Sequence, residues 1–231
     1  MKVEGAKELD IELTEEQNEQ LSLYLKELLE WNKNINLTSI TAEDEIIIKH
    51  FLDSLTIAKA VDLSQISTLL DIGAGAGLPG IPLKIAFPHL NVTMVDSTRK
   101  KVNFMKHVIE MLKLENSKAV FSRSEDFPRE MKESFDIVTS RAVAELRVLA
   151  EYCLPYVKIG GFFVAYKGAD TENEIAAANN AISTLGGELE RTVKLTLPNT
   201  DMIRNLVVIR KIGRAPDNFP RRAGIAKKRP L

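Results

Sequence analysis

The sequence predicts an α/β fold, a doubly wound and mostly parallel sheet behind a small helical N-terminal region. Three observations predict it. From Leu69 onward, short apolar runs alternate with amphipathic stretches of ten to sixteen residues, the rhythm of parallel βαβ units. A glycine-rich turn, Asp71 to Gly80, follows the first of those runs and opens a helix. The first 60 residues carry helical spacing without a strand pattern.

Taken in order, residues 12–30 place Leu21, Tyr24, Leu25 and Leu28 at spacings of three and four, and Thr14 with Gln17 offers a capping box. INLTSITAEDEIIIKHFLDSLTIAKAV predicts a turn and two further helical stretches, with Thr41 and Asp44 as a second capping box and Asn36 as a helix cap or substrate contact. STLLDIG, NVTMVDS, KAVFS, FDIVTS and GFFVAYKG follow as strands. GLPGIPLKIAF, RKKVNFMKHVIEMLKL and AVAELRVLAEYCLPYV are the helices between them. After the EIAAANNAISTLG helix, ELERTVKLTLP and NLVVIRKI read as an antiparallel hairpin closing one sheet edge. The expected organisation is a helical region over 1–65, a ligand-binding α/β domain over 66–213 and a basic segment over 214–231.

With 45% apolar and 27% charged residues, the 231-residue chain buries a core without staples. One cysteine, Cys153, excludes an intramolecular disulfide framework and suits a reducing cytosol, so a cytoplasmic protein is expected. Three histidines leave little for a metal. His50 and Asp53 share a helix face with no third ligand nearby, so no metal is expected. No apolar run reaches membrane-spanning length. Charge is uneven: residues 210–231 hold eight Lys/Arg against one acid, in a chain of net charge −1. That asymmetry predicts a local anion-binding edge, ordered by Phe219, Ile225, Leu231 and its prolines. It is expected to pack as a rim near the substrate cleft, to supply phosphate contacts there and to lie apart from the crevice of a small-molecule cofactor.

The turn Asp71-Ile-Gly73-Ala-Gly75-Ala-Gly77-Leu78-Pro79-Gly80 sits where open α/β sheets bind ligands. Gly75-x-Gly77-x-x-Gly80 matches the dinucleotide fingerprint. Asp71-x-Gly73-x-Gly75-x-Gly77 matches the pattern of S-adenosylmethionine-dependent methyltransferases. Asp96, ending the second strand, suits the ribose diol of either ligand. The architecture favours the methyl donor, because no second mononucleotide-binding half follows. Ser124 and Glu125, after the third strand, face the same crevice. Arg141 follows the fourth strand as a positioning residue at the donor or RNA site. Lys167 follows the fifth, and Arg123 adjoins Ser124. Trp31 is expected to anchor helix to core, and Cys153 to fill core.

The segments WNKNINLTSI, HFLDSL, DIGAGAGLPGIPL, VDSTRKKVNFM, RSED, FDIVTSRAVAEL, GGFFVAYKG, RNLVVIRK and FPRRAGIAKKRPL together resemble the GidB/RsmG family of bacterial 16S rRNA guanine-N7 methyltransferases, from Trp31 to Leu231. The resemblance implies a seven-stranded methyltransferase domain, S-adenosyl-L-methionine as donor, and a guanine of 16S rRNA near the decoding centre as acceptor. Carried onto this chain, it puts Gly73 and Leu78 on the methionine and ribose side of the donor, and Ser124 and Glu125 on its adenosine side. Gly75, Gly77, Asp96 and Arg141 complete the expected donor set. Arg123, Lys167, Arg221, Arg222, Lys227 and Lys228 form the expected RNA set. Leu78 and Ser124 depart from the aromatic and alanine common in the family. The expected partner is 16S rRNA or the small ribosomal subunit, met by a monomer. The competing classes are a methyltransferase for small molecules or proteins, and a ribosome-assembly factor with a vestigial donor site.

Overall fold

The structure, a computed structural model, describes residues 3–141, 144–169 and 171–231. A 3-10 turn (Ala6–Leu9) precedes helix α1 (Glu15–Asn32). The Thr14–Gln17 capping box forms in full: Thr14 Oγ1 accepts from the Gln17 N–H, and the Gln17 side chain accepts from the Thr14 N–H. Leu21, Tyr24, Leu25 and Leu28 are its buried stripe, as their spacing predicts. Trp31 extends that stripe, its ring centroid 5.5 Å from Phe104 and 5.1 Å from His107.

The next segment departs from expectation. In place of two helical stretches there is one continuous run: α2 (Glu43–Ile46), a π-helical stretch (Ile47–Leu52), α3 (Asp53–Leu55) and a 3-10 turn (Thr56–Lys59). Thr41 and Asp44 form no capping box, because the helix starts one residue later, at an Ala42 N-cap without a side-chain bond. Asn36 is not that cap either. Asn32 Oδ1 instead accepts from the Leu37 and Thr38 N–H groups and folds the turn back on α1. π turns are rare and cluster at functional positions, and this one carries Lys49 and His50.

A 3-10 turn (Leu63–Gln65) leads into the sheet. Strands β1 (Thr68–Ile72), β2 (Asn91–Asp96), β3 (Ser117–Phe121), β4 (Phe135–Ser140), β5 (Val157–Lys167), β6 (Gly187–Thr196) and β7 (Ile203–Lys211) lie in the order β3-β2-β1-β4-β5-β7-β6. The first five are parallel; β7 runs antiparallel to both β5 and β6, so the predicted hairpin closes one edge. Helices α4 (Gly80–Ala86), α5 (Arg99–Met111), α6 (Leu146–Cys153) and α7 (Glu172–Thr184) connect the strands, and α8 (Ile225–Lys228) lies in the C-terminal segment. α6 is shorter than expected and ends in a 3-10 turn (Leu154–Tyr156); Ala142 and Val143, its expected start, lie outside the described residues.

Both sheet faces are covered, so the central strands read as apolar runs rather than alternations. Along β7, Leu206 and Val208 enter one core while Val207 and Ile209 enter the other. The first core includes Leu21, Tyr24 and Leu28 of α1 and Phe104 of α5; the second includes Leu149 and Cys153 of α6 and Phe219 and Ala226 of the C-terminal segment. The N-terminal helices therefore share the sheet's own core. Among the described residues, no helix is long and apolar enough to cross a membrane.

Candidate active site

The strand order reverses between β1 and β4, and at that switch point the carboxyl ends of the strands open onto a cavity of about 390 Å³. Gly73 lines it from β1, Asp96 from β2, Ser124 and Glu125 from beyond β3, and Ser140 from β4. The turn after β1 is built by backbone requirements. Gly73, Gly75 and Gly77 sit at φ of 75°, 61° and 93°, in the left-handed region that side chains disfavour. Gly80 serves packing instead. A Cβ there would fall 2.6 Å from Met94 Cγ, so its bareness lets α4 pack on the sheet. Asp96 fastens the turn to β2, its Oδ2 accepting from the Gly75 N–H at 2.9 Å and its Oδ1 from the Thr98 N–H at 2.8 Å.

Asp71 spans the base of the turn. Its Oδ2 accepts from the Gly80 N–H at 2.9 Å, while its Oδ1 is buried with no hydrogen-bond partner among the described residues. Burial pushes this carboxyl up to about 7, with the Gly80 N–H holding it back in part. Asp71 is fully buried beneath the turn and does not line the cavity, so the acids that face a ligand there are Asp96 and Glu125.

Glu125 was expected to touch the donor, and it does line the cavity, but its carboxylate is also a junction. Oε1 accepts from the Gly224 N–H and Oε2 from the Ser124 hydroxyl, each at 3.0 Å, and Tyr152 bonds the same group. Burial alone would raise its pKa; the bonds from Gly224 and its other donors outweigh that and hold it below the usual range. Gly75 and Gly77 shape the turn without lining the cavity, and Leu78 is buried in the core behind it. Arg123 lines the cavity rim. Tyr152, Gly224 and Lys227 line it too, and the first two were not foreseen. The expectation that the basic segment lies apart from this crevice is overturned by Gly224 and Lys227.

Arg141 does not line this cavity. It faces a second one of about 370 Å³, shared with Lys49, His50, Asp53, Lys167 and Arg204. Asp53 Oδ2 accepts from Arg141 Nη1 at 3.1 Å and Oδ1 from Arg204 Nε at 2.8 Å, so one buried carboxylate joins the N-terminal helices, β4 and β7. Arg141 also donates to the Lys49 carbonyl at 3.1 Å. Burial, reinforced by Arg141, lowers His50 to about 4 and keeps its ring neutral. Lys167 is not a free cation: its Nζ is bound by the Ala144 carbonyl at 2.6 Å and by Glu174 Oε1 at 2.5 Å. Consecutive residues Ser140 and Arg141 line the two cavities, so the end of β4 is their common wall.

Of the basic tail, Arg222, Lys227 and Lys228 are exposed. Arg221 needs correction as an RNA contact. Its guanidinium forks onto Glu151, Nε to Oε1 at 2.9 Å and Nη2 to Oε2 at 2.5 Å, and so anchors the segment. Among the described residues, no group of three or more His, Cys, Asp or Glu is placed to hold a metal ion.

A doubly wound sheet of this order, with a glycine turn after β1 and an acid ending β2, defines the class of S-adenosylmethionine-dependent methyltransferases. The family model described as "GidB: rRNA small subunit methyltransferase G" matches residues 17–207. The chain belongs to this family. It is 49% identical over 229 residues to the ribosomal RNA small subunit methyltransferase G of Bacillus subtilis (strain 168), covering 98% of this chain and 96% of that one. The protein of the same description from Pelotomaculum thermopropionicum is 50% identical over 230 residues, covering 99% and 96%. Among solved structures, M. jannaschii TYW2 in complex with AdoMet is similar in fold, with a TM-score of 0.54 at 16% identity over 64% of this chain and 70% of that one.

Proposed function

We propose that this chain transfers a methyl group from S-adenosyl-L-methionine to N7 of a guanine in 16S rRNA of the small ribosomal subunit. The observation that carries the reading is the pair of cavities meeting at Ser140 and Arg141. The first fits the donor: Asp96, at the end of β2, offers a carboxylate to a ribose diol, with Gly73 beside it and Ser124 and Glu125 across the cavity. The second is lined by Arg141 and Arg204, two guanidinium groups that share the single carboxylate of Asp53, and the surplus positive charge suits a nucleotide. When bound, the donor supplies a methyl group on an electrophilic sulfonium.

Guanine N7 already has a lone pair and no proton to lose, so the chain has mainly to hold the reacting atoms in line and exclude alternatives. Arg141 does this as a cation that stays protonated, with its guanidinium fixed in advance by Asp53 and the Lys49 carbonyl. Asp53 faces the same cavity, but its charge is taken up by Arg141 and Arg204, so its part is to hold Arg141 in place. Exposed Arg123, Arg222, Lys227 and Lys228 supply phosphate contacts, which position RNA without reading its bases. The target base reaches the cavity by unstacking from a loop, which costs less than leaving a duplex. The protein acts as a monomer in the cytoplasm, at its ribosomal substrate.

Single-turnover methylation from about pH 6 to 9 tests this reading. With donor saturating, the chemical step is expected to be flat with pH: His50 has lost its proton near pH 4, nothing is abstracted from N7, and the Asp71 carboxyl, pushed up to about 7, is fully buried and lines neither cavity. Arg141→Ala lowers the rate without changing that shape, and Arg141→Lys rescues only in part, since a point charge does not replace a planar fork. A steep single-proton rise, abolished by removing one side chain, would establish a general base and refute the mechanism.

A further inference from the structure

The C-terminal segment has the composition of an RNA rim, yet it forms a wall of the donor crevice. Gly224, at φ 81°, directs its N–H onto Glu125 Oε1, and Lys227 lies on the cavity lining. What seats these residues is a buried ion pair. Glu151 is 1% exposed, and its carboxylate takes the Arg221 backbone N–H at 3.0 Å as well as the forked guanidinium. Arg221 Nη2 also donates to the Arg229 carbonyl at 2.9 Å, closing the segment on itself around α8. Phe219 and Ala226 bury against α6 and its surroundings. Glu151 and Tyr152 are adjacent on α6: the first grips Arg221, and the second bonds Glu125 and lines the crevice. The exposed side of the same segment carries Arg222 and Lys228.

We infer that the C-terminal segment is part of the donor site, with Arg221 as a positioning residue that, through Glu151, holds Gly224 and Lys227 in the crevice wall and so couples donor binding to RNA binding. The inference rests on the donor reading above. A ligand touching only the seated segment stabilises the seated state. A second ligand touching the segment's other side then binds a state that is already ordered. Linkage makes the effect reciprocal: RNA strengthens donor binding by the factor with which the donor strengthens RNA binding.

The test uses the full chain, calorimetry with S-adenosylhomocysteine, and an unmodified RNA hairpin carrying the target loop. Arg221→Ala alone strands a buried carboxylate and can unfold the protein, so the informative variant is Glu151→Gln with Arg221→Gln, which leaves no buried charge unpaired. In the parent, S-adenosylhomocysteine is expected to slow tryptic cleavage at Lys227–Arg229, and RNA is expected to tighten its binding by about fivefold or more. In the double variant, affinity falls about tenfold and the coupling disappears. Arg221→Lys restores affinity only in part, because one ammonium cannot fork. Parent-like affinity and coupling in a folded double variant would overturn the inference. A parent that binds no S-adenosylhomocysteine would overturn the donor reading itself, and the inference with it.

Discussion

Replacing Asp53 with Ala is expected to lower folding stability by about 3–5 kcal/mol, a large loss for one side chain. The reason is what remains behind. Asp53 is the common acceptor of Arg141 and Arg204, whose side chains are 16% and 19% exposed. Without it, two guanidinium groups sit close together in a partly buried cavity with their shared counter-charge gone. Removing one partner of such a cluster costs more than the cluster contributes when intact, because the desolvation of the survivors is uncompensated. Urea unfolding should show the full loss, and turnover should fall as Arg141 leaves its position. Asp53→Asn keeps an acceptor oxygen and should lose less. A change under about 1 kcal/mol in Asp53→Ala would show that the arginines are solvated elsewhere.

The second large effect is on the donor. Gly75→Val forces a β-branched side chain to φ near 61°, in the left-handed region. The strain is of order 1–3 kcal/mol, and it is relieved most readily by rearranging the turn. A Cβ at Gly75 meets nothing nearer than the Gly73 carbonyl oxygen at 4.0 Å, so the penalty is conformational and not a clash. Rearrangement breaks the Gly75 N–H bond to Asp96 and displaces the carboxylate that faces the crevice. Calorimetry should find S-adenosylhomocysteine binding weaker by about 10- to 100-fold, with a smaller loss from Gly75→Ala. Unchanged binding in Gly75→Val would remove the turn from the donor site.

What could be read from the sequence was what local rules determine. Strand and helix periods located every strand of the sheet, since each repeats within a few residues. The glycine turn was legible because positive φ and close packing are demands of single positions. The Thr14–Gln17 box formed, whereas Thr41–Asp44 did not: the pattern names candidates, and the chain chose Ala42 one residue on. The π stretch left no mark, because its apolar spacing is still helical. The cluster of Asp53, Arg141 and Arg204 joins three distant segments, and no local pattern pairs them. Arg221 misled for the same reason. In a basic tail it reads as surface charge, and its partner Glu151 stands as the one charged residue in VLAEYCL, where an isolated acid was the available hint. Tyr152 stands in the same run, and no local pattern marks it as a cavity residue.

The central claim is tested most directly by incubating small ribosomal subunits that lack the modification with the protein and S-adenosyl-L-methionine labelled in its methyl group, then mapping the label. The account predicts label on one nucleotide of 16S rRNA, a guanine, with the methyl group on N7. It also predicts that labelling is slower with Arg141→Ala, and slower with Gly75→Val when the donor is limiting. Label on ribosomal protein, on another base or on another guanine atom would contradict it, as would the absence of any transfer by a chain that binds the donor.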